Sequence, residues 1–212
     1  MYHTAVSGAK GCKSETDHFQ NRTDLGEDAG HRASEVRCED RQRVIAVCGV
    51  KNSGKTTLLE KMVRELTKKG VKTAVVKHDG HDFTCDVPDT DSYRMWQAGA
   101  YGTAVYSGKR MFVHKEIAGV DETELIRQFP EADIIFLEGL KDSSYPKIEV
   151  VRKEISRHPV SNPAGRFLIV TDCREEEIRC AEKREEVSIV GLNDVDEILA
   201  KVMEIAGILA RM

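Results

Sequence analysis

Gly49-Val50-Lys51-Asn52-Ser53-Gly54-Lys55-Thr56 has the spacing of a phosphate-binding loop: two glycines, the second followed at once by a lysine and a hydroxyl residue. The chemistry of each position follows from its type. Gly49 and Gly54 let the backbone turn sharply and approach phosphate oxygens with no Cβ in the way. Asn52 and Ser53 contribute backbone N–H groups to the same cradle. Lys55 is a point charge for the β- and γ-phosphates, the Thr56 hydroxyl is a ligand for Mg²⁺, and Thr57 can donate to an α-phosphate oxygen. The apolar run Val44–Cys48 precedes the loop and an amphipathic segment follows it, the strand-to-helix setting this motif requires. The loop therefore points to nucleotide binding.

A phosphate-bound Mg²⁺ calls for a carboxylate. Glu138 ends the apolar run Ile134–Leu137, at the edge of an open sheet where ligands bind. Asp86 lies in the polar loop 78–90 after the second strand, at the same edge. Lys55 and Glu138 are the expected catalytic groups, and Thr56, Asp86 and Glu138 the expected metal ligands. His78, His81 and Cys85 admit a transition-metal reading, but a polar loop moving over the nucleotide is the simpler one. Cys48 reads as a small buried apolar residue, and Tyr93 and Trp96 as packing residues.

Strands and helices must position these groups, and from Arg43 onward they alternate. Strands are predicted at 43–48, 72–77, 133–137, 147–152, 166–171 and 187–190. Helices are predicted over 55–69, 91–98, 121–128, 174–184 and 194–210. Residues 102–106 and 110–114 read as a strand pair turning through Ser107-Gly108-Lys109. Near-continuous apolar strands separated by helices predict an α/β fold, a mainly parallel sheet covered on both faces, beside a small antiparallel pair. Residues 1–42 are polar, with few large apolar side chains and no periodicity, and are expected to form a disordered extension to a nucleotide-binding domain at 43–212.

Composition narrows the classes. The chain has 212 residues, 40% of them hydrophobic and 32% charged, with a net charge of −4. That balance suits a globular domain and gives no basic face for nucleic acid. The six cysteines form no C-x-x-C pair, so neither a zinc site nor a disulfide framework is indicated. There is no apolar run of membrane-spanning length and no apolar signal region, and the scattered thiols suit a reducing compartment; the cytoplasm is the expected location.

Beyond the loop, several strings occur in a telling order: Val76-Lys77-His78-Asp79-Gly80-His81-Asp82-Phe83, Asp91-Ser92-Tyr93-Arg94, Gln97-Ala98-Gly99-Ala100, Leu137-Glu138-Gly139-Leu140-Lys141 and Pro146-Lys147-Ile148-Glu149-Val150-Val151-Arg152. Over roughly 43–205 this set resembles the molybdopterin-guanine dinucleotide biosynthesis protein B (MobB) family. The resemblance implies a three-layer P-loop NTPase fold and a homodimer that binds GTP with Mg²⁺ and hydrolyses it slowly. It also implies work beside the guanylyltransferase that joins GMP to molybdopterin, with molybdopterin itself a candidate ligand that the sequence leaves open. Carried over by position, Asn52–Thr57 would hold the phosphates and Gln97–Ala100 would lie near the nucleotide. The chain departs from the family at Asp89, where glycine is common, and at Met95 and Trp96. Guanine preference rests on the resemblance alone: there is no N-K-x-D, and Thr171-Asp172 is only a plausible place for base contact. Two other functions compete, a small-molecule kinase using Asp79 or Asp82 as base and a non-catalytic nucleotide-gated adaptor.

Overall fold

Four strands built largely from β-branched and aromatic residues form the centre of the molecule. The computed structural model describes residues 43–80 and 83–208; the predicted extension at 1–42, together with His81, Asp82 and Leu209, lies outside them. Strands β1 (Val44–Cys48), β5 (Ile134–Glu138), β6 (Lys147–Val151) and β7 (Arg166–Thr171) are buried almost throughout, as parallel strands covered on both faces must be. With β2 (Thr73–Lys77) and β8 (Ser188–Gly191) they make a six-stranded sheet in the order β2-β5-β1-β6-β7-β8. Each adjacent pair is parallel. From β1 the chain runs to β2 on one side of the sheet, while β6 pairs on the other. The carboxyl end of β1 is thus a topological switch point, where a ligand crevice opens.

One face of the sheet is covered by α1 (Lys55–Lys68) and α5 (Val195–Ile205). Leu58, Leu59, Met62 and Leu66 of α1 and Ile198, Leu199 and Val202 of α5 pack on Ile45, Val47, Phe136, Ile148 and Val170. Each such side chain contributes roughly 1.5–3 kcal/mol of burial. The second face carries α3 (Glu122–Ile126), through Ile126, and α4 (Glu175–Arg179), through Ile178.

Between those two helices the second face is ionic. The connection 152–165 from β6 to β7 contains no helix, and beneath it Lys147, Glu149, Arg166 and Glu182 are all buried. A register shift between Lys147 and Ile148 sets Arg166, rather than Phe167, opposite Lys147. Arg166 Nη1 donates to Glu182 Oε2 at 2.6 Å, its other nitrogens donate to the hydroxyl and carbonyl of Ser161, and Glu149 lies 4.0 Å away. Glu149 also accepts from the amides of Val160 and Ser161. Lys147 Nζ donates to the carbonyls of Lys141 and Ser143, and burial pushes its pKa down.

Hydrogen bonds from Arg184 and Arg166 hold the Glu182 carboxyl at about 2, against an ordinary 4.5. A carboxyl pKa depressed on folding stabilises the native state fully above the unfolded value, and that stabilisation is lost as pH falls through the folded one. Acid unfolding monitored by circular dichroism should therefore show a stability loss between about pH 4.5 and 2 that is missing in Glu182→Gln.

Helix α2 (Asp91–Gln97) is capped by Thr90, whose side chain accepts from the Tyr93 amide. It packs on the hairpin of β3 (Gly102–Tyr106) and β4 (Met111–Lys115), which pair antiparallel with Tyr106 opposite Met111. Trp96 meets Tyr93 edge-to-face and His114 at a tilt, and it donates to Glu116, so both aromatic residues have packing roles. Asp89 has a φ of 67°. This is the left-handed region where a glycine is strain-free and aspartate is among the few tolerated substitutes.

Three helices are clearly shorter than predicted, and the segment 121–128 is helical only over Glu122–Ile126. The segment 174–184 is helical only over Glu175–Arg179, because Glu182 leaves the helical path to reach Arg166 and Arg184. The last helix stops at Ile205, just before Gly207 with a φ of 62°.

Candidate functional site

The loop 49–54 joins β1 to α1, and its shape depends on two glycines. Gly49 has a φ of 138°, and a Cβ there would sit 2.5 Å from the Val150 carbonyl oxygen of β6. Gly54 has a φ of 95° and is the N-cap of α1. A glycine cap offers no side-chain acceptor, and the first turn of α1 contains no acidic residue. The amides of that turn and the positive end of the helix dipole are thereby left for an anion.

Lys55 and Thr56 are oriented by hydrogen bonds within the chain. Lys55 Nζ donates to the carbonyls of Val50 at 2.7 Å and Gly49 at 3.1 Å, which holds the ammonium over the loop. Thr56 Oγ1 donates to Glu138 Oε1 at 2.8 Å, across 82 residues of sequence. Ser53 is fully buried, and its hydroxyl has no hydrogen-bond partner among the described residues. Asn52 has a φ of 64°, which turns the backbone within the loop. Thr57 is exposed one position further along α1.

Glu138 is fixed by its neighbours. It pairs in register with Val47, the Gly139 amide donates to the Val47 carbonyl at 3.0 Å, and the Cys48 thiol donates to the Gly139 carbonyl at 2.9 Å. The chain then leaves through left-handed Gly139 and Leu140. Burial, reinforced by Glu149, pushes the Cys48 thiol up to about 11. It stays protonated at neutral pH and remains a donor. Reading Cys48 as a simple apolar residue missed this bond, which is invisible without knowing that β1 and β5 are neighbours.

The remaining predicted residues stand apart from this contact. Asp86 Oδ1 accepts from the Val87 amide at 2.8 Å and lies within 3.4 Å of the Thr90 and Ser92 hydroxyls, while its buried Oδ2 has no hydrogen-bond partner among the described residues. Gln97 ends α2, Ala98 is its C-cap, Gly99 has a φ of 101°, and the Ala100 amide closes the turn onto the Met95 carbonyl. Among the described residues, no three His, Cys, Asp or Glu side chains gather to hold a metal ion. The reading that joins His78 and Cys85 to His81 extends beyond the described residues.

Arg152 is a group the sequence reading passed over except as part of a string. It follows β6 at the ligand edge of the sheet, its Nε donates to Asp172 Oδ2 at 3.0 Å, and its Nη1 lies 3.6 Å from the position a Gly54 Cβ would take. Its place just after an apolar strand, like that of Glu138, was the signal available.

The parallel sheet, the switch point at β1 and the glycine-shaped loop running into α1 define the P-loop NTPase fold. The family model for molybdopterin guanine dinucleotide synthesis protein B, MobB, matches residues 44–172, and the chain belongs to that family. It is 30% identical over 168 residues to the molybdopterin-guanine dinucleotide biosynthesis adapter protein of Escherichia coli K12, covering 76% of this chain and 91% of that relative. Among solved structures it is similar to Bacillus subtilis MobB, with a TM-score of 0.58, 26% identity and coverage of 75% of this chain and 97% of that one. The fold is also that of a MobB homolog from Bacillus stearothermophilus, with a TM-score of 0.57, 23% identity and coverage of 78% and 98%. No helix among the described residues is long and apolar enough to cross a membrane.

Proposed function

We propose that this chain is a GTP-binding accessory protein of molybdenum cofactor maturation, acting where a guanine nucleotide is joined to molybdopterin, with slow Mg²⁺-dependent GTP hydrolysis. The 2.8 Å contact between Thr56 and Glu138 at the mouth of the phosphate loop carries this reading. A hydroxyl and a carboxylate held together beside an open helix N-terminus suit a hard divalent cation that also meets phosphate oxygens. Mg²⁺, when bound, supplies charge neutralisation between the β- and γ-phosphates.

Lys55 neutralises the outer phosphates, the loop amides from Asn52 to Thr57 orient them, and Thr56 with Glu138 holds the ion. Asp86 is the second carboxylate candidate, although its Oδ1 is already engaged by its own turn. Gln97–Ala100 belong to the nucleotide surroundings by resemblance. Turnover is slow because none of the groups gathered at the loop is a glutamine that would orient water.

Glu138→Gln should lower Mg²⁺-dependent GTP affinity about 10-fold or more and leave binding in EDTA unchanged. Titration calorimetry with and without Mg²⁺ measures this. Full Mg²⁺ stimulation in Glu138→Gln, together with its loss in Asp86→Ala, would transfer the role to Asp86.

The partners in this reading are the guanylyltransferase, molybdopterin and a second copy of the chain, all in the cytoplasm. One face of the hairpin supports protein contact: Tyr106, Met111 and Val113 share it by register and are 86%, 74% and 59% exposed. The same surface favours the adaptor as second reading, in which bound GTP gates partner docking and hydrolysis is incidental. Nothing comparable favours the kinase: Asp79 Oδ2 lies 3.8 Å from Lys77 Nζ, and Asp82 is outside the described residues.

A further inference from the structure

A cleft of about 490 Å³ opens beside the phosphate loop, between the first turn of α1 and the carboxyl ends of β7 and β8. Gly54, Thr57 and Lys61 line one side, Arg152 lies along it, and Asn193 and Asp194 stand opposite. It is continuous with the loop through Gly54 and Thr57, so a nucleoside attached to phosphates on the loop has this space within reach.

The polar groups of the cleft are not equally free. Asp172, the carboxylate that the sequence suggested for base contact, accepts from Arg152 Nε with Oδ2 and from the Lys153 amide with Oδ1. Oδ2 thus holds Arg152, whose planar guanidinium is offered to the cleft as a stacking surface, while Oδ1 pins the backbone just after it. Asp194 is the reverse case. It is the N-cap residue of α5, yet its side chain caps none of that helix's amides, and its Oδ2 folds back over Gly191 into the cleft lining.

We infer that this cleft is the nucleobase subsite, with Arg152 as the stacking platform and Asp194 as the residue that selects guanine. The inference rests on the proposed GTP reading and names the groups behind its base preference. Guanine presents two adjacent donors, N1–H and the 2-amino group, which match the two acceptor oxygens of an ionised carboxylate. Adenine presents a lone pair at N1 and no 2-amino group, so the same carboxylate meets a lone pair. The Asn193 amide can donate to the guanine 6-oxo group.

The test is competition binding on the full chain with GTP, ITP, ATP, XTP and inorganic tripolyphosphate. Wild type should bind GTP about 10-fold or more tighter than ATP, with ITP, which lacks the 2-amino group, in between. Asp194→Asn should lose about 10-fold in GTP affinity and gain in XTP affinity, because its amide donates to the xanthine 2-oxo group. Tripolyphosphate should bind both proteins equally. Equal affinity of wild type for GTP and ITP, a comparison that needs no variant, overturns the role of Asp194. So does a GTP-to-ATP ratio unchanged in Asp194→Asn while tripolyphosphate still binds. Failure of wild type to bind tripolyphosphate or any nucleotide instead removes the phosphate-site reading, and this inference with it.

Discussion

Lys55→Ala is expected to weaken GTP binding by about 100-fold or more while leaving the urea midpoint almost unmoved. The ammonium is held by the Gly49 and Val50 carbonyls, two hydrogen bonds at a half-buried position. Their loss lets water reach those carbonyls and should cost no more than about 1 kcal/mol of stability. Bound triphosphate changes the balance, because the same ammonium then faces two anionic groups. Losing charge-assisted bonds to them removes about 3 kcal/mol, which is the 100-fold. Lys55→Arg should not rescue, since a planar fork cannot replace a point charge in so tight a loop. Calorimetry with GTP and urea denaturation read the two effects separately. Unchanged GTP affinity would remove Lys55 from the site. Cofactor maturation that persists with binding abolished would favour a scaffold role over a nucleotide-dependent one.

Arg166→Ala should be the most destabilising single change outside the apolar core, at about 3–5 kcal/mol. The reason lies in what remains behind. Glu182 and Glu149 stay buried with a partner removed, and the Ser161 carbonyl and hydroxyl lose their donor. Glu182→Ala should cost less, because Arg166 keeps Ser161 and Glu149. Combined, the two changes should fall short of additivity, since the second loss no longer breaks an intact pair. Urea midpoints for the three variants check this, and a loss under about 1 kcal/mol in Arg166→Ala would mean that water already enters the cluster.

The loop between β1 and α1 was legible because its shape is local: Gly49 to Thr56 are consecutive, and the strand and helix that frame them announce themselves by periodicity. Glu138 was legible by position, as a charge at the end of an apolar run. The partners in the ionic cluster were not. Lys147 and Glu149 alternate with Ile148 and Val150 along β6, which is an ordinary strand pattern, and only the register shift against β7 makes Arg166 their neighbour. The length of α4 was misjudged for the same reason, as Glu182 abandons that helix for a partner that no local propensity reveals. The cleft was hidden because Gly54, Arg152 and Asp194 meet only through strand order. Asp172 was noticed, but its bond to Arg152 makes it a support for its neighbour rather than a free group.

The helix-free connection over β6 and β7 also gives the two sides of the sheet different responses to temperature. The side under α1 and α5 is held by apolar burial, which weakens on cooling. The side under 152–165 is held by desolvated charges, and the penalty for keeping them from water shrinks as temperature rises. Warming therefore shifts the load of cohesion toward the ionic side, and chilling loosens the helices that frame the phosphate loop first.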